Sequence, residues 1–337
     1  MTVSPLIEIK DLAVSFPTDD GLVKAVSGVS LTLAAGESVG IVGESGSGKS
    51  VTWLTVMGLT DRTRANIEGQ VMFEGNDLLA LPESELQAIR GRRISMIFQD
   101  PMTSLHPYYK VGAQIAESVR AHQQVSKKEA WDRAVEMLRL VAIPQPERRA
   151  QQYPHEFSGG MRQRAMIAMA LALDPAVLIA DEPTTALDVT VQAQILDLIG
   201  RIREELGMAV VIITHDLGVV AEHCDRIAVM YAGKIVEQGG DRDIYYDAQH
   251  PYSWGLLRSI SRLDDEPGAR LTPIKGLPPS LIRVPEGCAF HPRCPYAFDR
   301  CKAEKPVLAT ADGQHAVSCH LAVEDRRRIF GEEVARR

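Results

Sequence analysis

One short stretch restricts the fold of this chain more than any other feature: residues 43–50 read Gly-Glu-Ser-Gly-Ser-Gly-Lys-Ser. A glycine followed by four residues and Gly-Lys-Ser is typical of a loop that binds phosphate groups. The apolar run 38–42 before it predicts a buried strand, and residues 51–57 after it predict a helix. The sequence therefore predicts a strand, a glycine-rich loop and a helix in direct succession.

The chemistry of this loop depends on its geometry. Glycines let successive backbone N–H groups turn inward around the phosphates, and the following helix adds a partial positive charge at its N-terminus. Lys49 is expected to reach the β- and γ-phosphates of a nucleotide, and the Ser50 hydroxyl is expected to bind Mg²⁺. The predicted nucleotide contacts of the loop are Gly43, Glu44, Ser45, Gly46, Ser47, Gly48, Lys49, Ser50 and Val51.

Size and composition narrow the class of protein. The chain has 337 residues, of which 45% are hydrophobic and 24% charged, so it can bury a large globular core. Its net charge of −7 argues against a strongly basic nucleic-acid-binding surface. The longest apolar run, 165–173, is far shorter than the roughly 20 residues that span a bilayer. Glu8, Lys10 and Asp11 interrupt the N-terminal segment, so we expect no signal peptide and a cytoplasmic protein.

Strands alternate with helices along most of the chain, which predicts an α/β fold with a mainly parallel core sheet. Alternating segments over 6–10, 12–16 and 26–33 predict the strands of an N-terminal antiparallel β subdomain. Helical spacing predicts a helical subdomain over about 101–172 and a further helix over 189–206. Past residue 250, proline becomes more frequent, regular periodicity fades and four cysteines appear. We therefore expect a nucleotide-binding domain over 1–249 and a small Cys-rich C-terminal domain over 250–337.

A second motif lies at residues 176–182, where an apolar run ends in Asp181 and Glu182. This pattern predicts a buried strand that delivers two carboxylates at its carboxyl end. Asp181 is suited to a contact with Mg²⁺ through water, because Mg²⁺ prefers hard oxygen ligands. Glu182 is suited to a base that polarises an attacking water. The pair is a weak signal alone and gains weight beside the phosphate loop.

Further motifs, in the expected order, make the chain resemble the nucleotide-binding subunits of ABC transporters over roughly residues 6–245. Ser158, Gly159 and Gly160 match the core of the family signature, although Phe157 and Met161 depart from its usual Leu-Ser-Gly-Gly-Gln. Single residues of four other family motifs are matched by Phe16, Gln99, Asp188 and His215.

The resemblance implies a role for each of these residues. Gln99 senses Mg²⁺ and the γ-phosphate, His215 contacts the γ-phosphate, and Phe16 stacks on the adenine of ATP. Asp188 lies in a loop that crosses to a partner subunit, and residues 158–160 approach the γ-phosphate. The implied catalytic residues are Lys49, Gln99, Glu182 and His215. The implied fold is a P-loop ABC-type ATPase in which two subunits bind head to tail around two ATP molecules.

A closer resemblance indicates one branch of this family. The segments 98–105 and 180–190, with His-Pro-Tyr at 250–252, resemble the dipeptide/oligopeptide importer branch, and most of all the D-type ATPases of dipeptide permeases. The resemblance implies a heterodimer with an F-type ATPase, two membrane permease subunits and, indirectly, an extracytoplasmic peptide-binding protein. It implies a peripheral position on the cytoplasmic face of the inner membrane and no nucleic-acid partner.

Other functions stay open at this point. Nickel and glutathione importers share the branch, so the cargo is less defined than the reaction. A soluble ABC ATPase of DNA repair or translation is a more remote alternative, because such proteins commonly carry two cassettes or long inserted helices. A regulatory module without hydrolysis is disfavoured, since Glu182 and His215 are both present.

Five cysteines are present, and four of them cluster in the tail: Cys288, Cys294, Cys301 and Cys319. A cytoplasmic location argues against structural disulfides. Four thiolates can hold zinc or a 4Fe–4S cluster, and gaps of five, six and seventeen residues are wide for structural zinc. Members of the importer branch carry such a set as an iron–sulfur site, so we expect a 4Fe–4S cluster, with zinc or free thiols as alternatives. Cys224 stands alone as an ordinary thiol.

Overall fold

The computed structural model describes residues 4–99, 104–185, 187–259, 274–310 and 315–334. Within these ranges the chain forms two compact units. The first unit comprises Met1–Leu33, Ser38–Leu79 and Thr214–Arg337, and the second comprises Ala34–Glu37 and Ala80–Ile213. Each unit combines strands with helices.

Strands and helices alternate along the described chain. The strands are β1 (Ile7–Thr18), β2 (Gly21–Leu33), β3 (Ser38–Val42), β4 (Asn66–Phe73), β5 (Asn76–Asp77), β6 (Ile94–Ile97), β7 (Val177–Asp181), β8 (Ala209–Thr214), β9 (Arg226–Tyr231), β10 (Lys234–Gly240), β11 (Ala309–Thr310) and β12 (Ala316–Val317). The helices are α1 (Lys49–Val56), α2 (Glu83–Ile89), α3 (Val111–His122), α4 (Lys127–Leu140), α5 (Pro146–Arg149), α6 (Gly159–Leu171), α7 (Val189–Leu206), α8 (Leu217–His223), α9 (Asp241–Tyr246), α10 (Pro251–Arg258), α11 (Asp299–Ala303) and α12 (Val323–Glu333). A 3₁₀ turn covers Pro154–Glu156.

The first unit begins with an antiparallel sheet in the order β2-β1-β4-β5. The N-terminal β region is therefore antiparallel, as predicted. The two short strands expected over 6–10 and 12–16 are one strand, β1. A register shift between Ile9 and Leu12, with Asp11 at a left-handed φ of 47°, forms a bulge that lets the pairing continue.

The first unit also holds the strand that leads into the phosphate loop. β3 and β9 are parallel neighbours, and β9, β10, β12 and β11 follow in antiparallel pairs. Every residue of β3 is buried, as expected for a parallel strand that is covered on both faces. The loop at residue 43 therefore starts from a buried, fully hydrogen-bonded strand.

In the second unit, β6, β7 and β8 form parallel ladders, with Ala180 of β7 between Ile97 and Ile212. All three strands are buried throughout, which explains why most of their residues are apolar and show no alternation. The carboxyl ends of parallel strands meet at one edge of a sheet. Gln99, after β6, and Glu182, after β7, are therefore delivered to the same edge.

The region predicted as a helical subdomain contains α3, α4 and α6. α4 begins with a capping box: Glu129 N–H donates to Ser126 Oγ at 3.2 Å, and Ser126 N–H donates to the Glu129 carboxylate at 2.8 Å. Arg133 of α4 donates to the carbonyl oxygen of Ala172 at 3.1 Å and forms an ion pair with Asp174 at 2.6 Å. This arginine therefore fastens α4 to the end of α6.

α7, with 18 residues, is amphipathic. Its buried side is a stripe of Ile195, Leu198, Ile199 and Ile202, and charged residues occupy the other side. In the part of the chain that the structure describes, no helix is both long enough and apolar enough to cross a membrane.

The tail beyond residue 250 does not form a compact unit of its own. β12 pairs with β10 through Val317 and Glu237, and Tyr252 and Trp254 of α10 are buried in the first unit. The predicted small separate Cys-rich domain is therefore not supported, because strand pairing and buried aromatic rings join the tail to the rest of that unit. The boundaries 1–249 and 250–337 remain a prediction about the sequence.

Candidate nucleotide site

The phosphate loop connects β3 to α1 in the first unit. Gly48, at the N-cap of α1, has a left-handed φ of 100°, and a Cβ there would lie 2.3 Å from the carbonyl oxygen of Ala25. A Cβ at Gly43 would lie 2.2 Å from the carbonyl oxygen of Met230. Any larger residue would displace the backbone at either position, which explains two of the three glycines in the motif.

Lys49 is folded back over the loop. Its side chain is buried, and Nζ donates hydrogen bonds to the carbonyl oxygens of Gly43 at 2.7 Å and Glu44 at 3.0 Å. Two backbone bonds close the loop: Ser47 N–H donates to Glu44 O at 3.2 Å, and Gly233 N–H donates to Ser47 O at 2.9 Å. The predicted phosphate-binding cation therefore lies directly on the loop that it is expected to serve.

The hydroxyl group of Ser47 shows whether the loop has the chemistry to bind a phosphate group. Its Oγ is buried and has no hydrogen-bond partner among the described residues. A buried hydroxyl without a partner raises the free energy of the folded state, and a bound anion at this point would satisfy it. Ser45 and Gly46 are exposed beside it, and Ser50 and Val51 form the first turn of α1. The loop therefore fits a phosphate group at a helix N-terminus.

Glu44 makes contacts with two residues of the tail that the sequence did not predict. Its carboxylate forms a two-point ion pair with Arg293, at 2.6 Å from Nη1 to Oε2 and 3.0 Å from Nη2 to Oε1. Its N–H donates to the Tyr252 hydroxyl at 2.8 Å. No local sequence signal pairs these residues, because 249 positions separate Glu44 from Arg293.

Phe16 and His215 also lie in the first unit. Phe16 is half-buried near the end of β1, opposite Val23 of β2. His215 follows β8 directly and is exposed. The next residue, Asp216, caps α8 by accepting a hydrogen bond from Gly218 N–H at 2.8 Å, which fixes the chain immediately behind His215.

In the second unit, Glu182 follows the buried Asp181 at the end of β7. Its φ of 46° is left-handed, a strained conformation for a non-glycine residue, and its N–H donates to Ile213 O at 2.8 Å. Oε2 of Glu182 accepts hydrogen bonds from Gln99 Nε2 and from Thr185 Oγ1, both at 2.9 Å. The structure thus brings Gln99 and Glu182 together across 83 positions of sequence.

The signature residues begin α6. Ser158 is the N-cap, and its Oγ accepts a hydrogen bond from Met161 N–H at 3.3 Å. Residues 159–160 form the first turn of the helix. Phe157 is buried, so the departure from leucine at this position keeps an apolar side chain in the core.

The loop around Asp188 begins the neighbouring helix. Asp188 Oδ1 accepts a hydrogen bond from Val191 N–H at 3.0 Å and caps α7. A Cβ added to Gly160 would lie 3.0 Å from a methyl carbon of Val191. The N-termini of α6 and α7 therefore lie side by side, and the glycine of the signature permits that close approach.

The predicted nucleotide residues divide between the two units. The first unit holds Phe16, the loop 43–51 and His215. The second unit holds Gln99, the signature 158–160, Asp181, Glu182 and Asp188.

The four tail cysteines lie in one part of the first unit. Cys288 N–H donates to the carbonyl oxygen of Cys301 at 2.8 Å. Burial above all, with a further contribution from the neighbouring cysteines, raises the pKa of Cys294 to about 12 and that of Cys319 to about 11. The thiols of Cys294 and Cys319 are therefore protonated at neutral pH unless a cation lies beside them. Among the described residues, no group of three or more His, Cys, Asp or Glu side chains is arranged to hold a metal ion.

Comparison with known proteins gives two family matches. The ABC transporter family matches residues 26–185, and the family described as oligopeptide/dipeptide transporter, C-terminal region, matches residues 236–301. The oligopeptide transport ATP-binding protein OppD of Salmonella typhimurium is 53% identical over 320 residues, which cover 95% of each chain. The dipeptide transport ATP-binding protein DppD of Bacillus subtilis is 51% identical over 323 residues, which cover 96% of each chain.

Solved structures show the same fold. The dimeric ATP-binding cassette MJ0796, in a post-hydrolysis state with ADP and Pi, has a TM-score of 0.63 and 30% identity, and the match covers 70% of this chain and 99% of that chain. The cbiO1 protein of Clostridium perfringens has a TM-score of 0.63 and 25% identity, over 73% and 93% of the two chains. This chain therefore belongs to the ATP-binding ATPases of ABC transporters. Its C-terminal region assigns it to the oligopeptide/dipeptide branch, which confirms the resemblance drawn from the sequence.

Proposed function

We propose that this chain is the ATP-hydrolysing subunit that powers import of oligopeptides or dipeptides through a membrane ABC transporter. The phosphate loop carries the nucleotide part of the proposal, with its buried Lys49 and the buried hydroxyl of Ser47, which has no hydrogen-bond partner in the described part of the chain. The match of residues 236–301 to the C-terminal region of oligopeptide/dipeptide transporters supports the cargo, as do the names of the OppD and DppD relatives.

When ATP and Mg²⁺ are bound, attack of water on the γ-phosphate would break the bond between the β- and γ-phosphates, and release of ADP and phosphate would supply the energy for transport. In the proposed site, Lys49 binds the β- and γ-phosphates, the N–H groups of the loop 43–51 surround them, and Ser50 is a ligand of Mg²⁺. Phe16 stacks on the adenine ring. Because Lys49 is already buried against the loop, little of its side-chain freedom remains to be lost when the nucleotide binds.

Glu182 is the proposed general base. Gln99 and Thr185 both donate to its Oε2, which orients the carboxylate toward one position. Asp181 is proposed to bind Mg²⁺ through water, Gln99 to sense Mg²⁺ and the γ-phosphate, and His215 to contact the γ-phosphate. The two hydrogen bonds to Glu182 support this assignment, because a base acts efficiently only when its geometry is held.

Residues 158–160 and Asp188 are proposed to serve a partner subunit. They form the adjacent N-termini of α6 and α7, where N–H groups and the helix dipoles favour an anion. The proposed partner is an F-type ATPase in a head-to-tail heterodimer. Two permease subunits bind this pair at the cytoplasmic face of the membrane, and an extracytoplasmic peptide-binding protein delivers the cargo.

We further propose that Cys288, Cys294, Cys301 and Cys319 hold a 4Fe–4S cluster, with zinc as the alternative. The proximity of the four thiols supports the proposal, although they are not arranged as a metal centre in this structure. An anaerobic preparation should be brown and contain about four iron atoms per chain. Substitution of any of the four by serine should lower the iron content, and Cys224→Ser should not. A colourless preparation that contains zinc would reject the iron–sulfur version.

The test of the main proposal is uptake of a labelled dipeptide together with ATPase activity. Glu182→Gln should retain ATP binding and lower turnover by about 10²- to 10⁴-fold, because it removes the proposed base. Glu205→Gln is the matched control, since Glu205 is an exposed carboxylate of the same unit, and it should keep normal turnover. Near-normal ATPase activity of Glu182→Gln would refute the role of Glu182. If nickel or glutathione competes with uptake and peptides do not, the proposal that the cargo is a peptide is refuted.

A further inference from the structure

Glu44 joins the phosphate loop to the tail of the chain. Three of its groups are held at once: Arg293 holds the carboxylate, the Tyr252 hydroxyl holds the N–H, and Lys49 Nζ holds the carbonyl oxygen at 3.0 Å. Two of these three partners belong to the tail, and the third is the lysine proposed to bind phosphate. The tail and Lys49 therefore share one anchor in the loop.

Arg293 is built into the tail and does not lie on its surface. Its side chain is only 5% exposed, and Nε donates to the carbonyl oxygen of Lys275 at 3.1 Å. Its guanidinium carbon lies 5.8 Å from the ring centre of Tyr231 and 6.0 Å from that of Phe290, within the range of a cation–π contact. A guanidinium fixed in this way presents a planar fork to the Glu44 carboxylate, which a lysine cannot reproduce.

Tyr252 makes the second link from the tail. Its ring packs against Tyr231 and Phe290, with ring centres 4.6 Å and 5.5 Å apart. Burial raises the pKa of the Tyr252 hydroxyl above its ordinary value, so the group is neutral and accepts the Glu44 N–H. Without this hydroxyl a backbone donor of the loop would lose its partner, which destabilises the conformation that the loop now has.

We infer that Arg293 is a positioning residue: together with Tyr252 it holds Glu44, and through Glu44 the phosphate loop, in the shape that binds nucleotide. The inference rests on the proposed function, that is, on ATP binding at this loop. Its consequence is that the tail sets the affinity for ATP, because any change that draws Arg293 away from Glu44 loosens the loop around Lys49.

The experiment uses the intact chain and two readouts. One is the dissociation constant of a fluorescent ATP analogue, and the other is hydrogen exchange of the backbone amides 44–48 in the absence of nucleotide. Arg293→Ala should raise the dissociation constant of the analogue about tenfold, which is within the range usual for coupling between two sites. It should also speed hydrogen exchange of the loop amides. Tyr252→Phe should change both readouts in the same direction, because it removes only the hydroxyl that accepts from Glu44.

Two variants distinguish a local effect on the phosphate loop from a general loss of folding. Arg258→Ala is the matched control: Arg258 is a largely buried arginine of the same tail whose ion pair is with Glu333, at 2.8 Å. It should leave both readouts unchanged. Tyr252→Phe keeps the aromatic ring in the core, so it reports on the loop even if Arg293→Ala folds poorly.

Normal affinity and normal exchange in both Arg293→Ala and Tyr252→Phe would overturn the inference. The double variant Glu44→Gln/Arg293→Ala should bind no better than Arg293→Ala, because the two residues share one interaction. Recovery of wild-type affinity in that double variant would mean that Arg293 only neutralises a charge, and would overturn the positioning role. Lys49→Ala tests the proposed function separately: if it binds ATP normally, that function fails, whereas the exchange result in the nucleotide-free protein still decides the inference.

Discussion

Replacement of His250 by asparagine should change how the stability of this protein depends on pH. His250 is fully buried at the N-cap of α10, where its Nδ1 accepts a hydrogen bond from Tyr252 N–H at 3.1 Å. Burial lowers the pKa of His250 to about 4, against an ordinary value of 6.5, although the nearby Glu237 carboxylate favours protonation and Arg326 opposes it. The folded state therefore requires a neutral imidazole at this position.

The magnitude follows from the difference between the two pKa values. A fall from 6.5 to about 4 corresponds to about 3 kcal/mol in the free energy of unfolding. Because the folded pKa is the lower one, this stability is present in full above about pH 6.5 and is lost as the pH falls toward 4. About 2 kcal/mol of it should be lost by pH 4.5. Asparagine at position 250 can still cap the helix but cannot titrate. The unfolding free energy of His250→Asn should therefore not show this loss at acid pH.

The assay is urea unfolding of wild type and His250→Asn at steps between pH 7.5 and pH 4.5. The gap in unfolding free energy between the two proteins should shift by about 2 kcal/mol in favour of the variant as the pH falls. His155→Asn is the control, since it makes the same substitution at an exposed histidine. The same acid slope in wild type and His250→Asn would refute the reasoning.

Three further predictions test local features. Gly48→Ala should weaken binding of a fluorescent ATP analogue at least tenfold, because its Cβ would meet a backbone carbonyl oxygen at 2.3 Å. Gly331→Ala is the control, since Gly331 has open space around its Cβ position and lies in helix α12, and it should not change binding. Equal binding by both variants would contradict the prediction. Ser126→Ala should lower the free energy of unfolding in urea by about 1 kcal/mol through loss of the capping box of α4, and an unchanged midpoint would argue against that cap. Burial opposes protonation of His315, but its 2.8 Å hydrogen bond to Glu237 raises its pKa overall, so the stability it contributes is present in full below about pH 6.5 and is lost at higher pH. His315→Ala should therefore cost about 2 kcal/mol at pH 6 and less at pH 8.5, and a cost independent of pH would contradict the raised pKa.

The sequence pattern was sufficient to predict secondary structure where that structure depends only on the residues of one segment. The buried strand predicted over 38–42 is β3, with the same bounds, and the helix predicted over 189–206 is α7. A mostly apolar run of five residues is too short for a typical helix, and the glycine loop beside it favours a buried strand. An amphipathic run of 18 residues has the length and periodicity of a helix. The separate strands 6–10 and 12–16 were wrong as two elements, because pairing with β2 and β4 carries the chain through a bulge that sequence periodicity does not show.

The sequence names the residues proposed for the site but does not show which of them are in contact. The phosphate loop, Glu182 and Gln99 were found from their motifs, and the structure adds that Gln99 and Thr185 donate to the same oxygen of Glu182. The roles of these residues stay predictions until the variants are measured. Arg293 belongs to no recognised motif, so its contact with the phosphate loop was not predicted, although the next residue, Cys294, was predicted to bind a cluster.

The sequence by itself determined the family, the strand–loop–helix at the phosphate site and the identity of the residues proposed to act there. These depend on short stretches of chain, in which glycine conformation, apolar periodicity and helix capping operate over a few residues. The tertiary structure alone decided that the tail joins the first unit and that Arg293 meets Glu44 across 249 positions. Such contacts depend on how strands pair and rings pack at long range, and no local propensity along the chain specifies them.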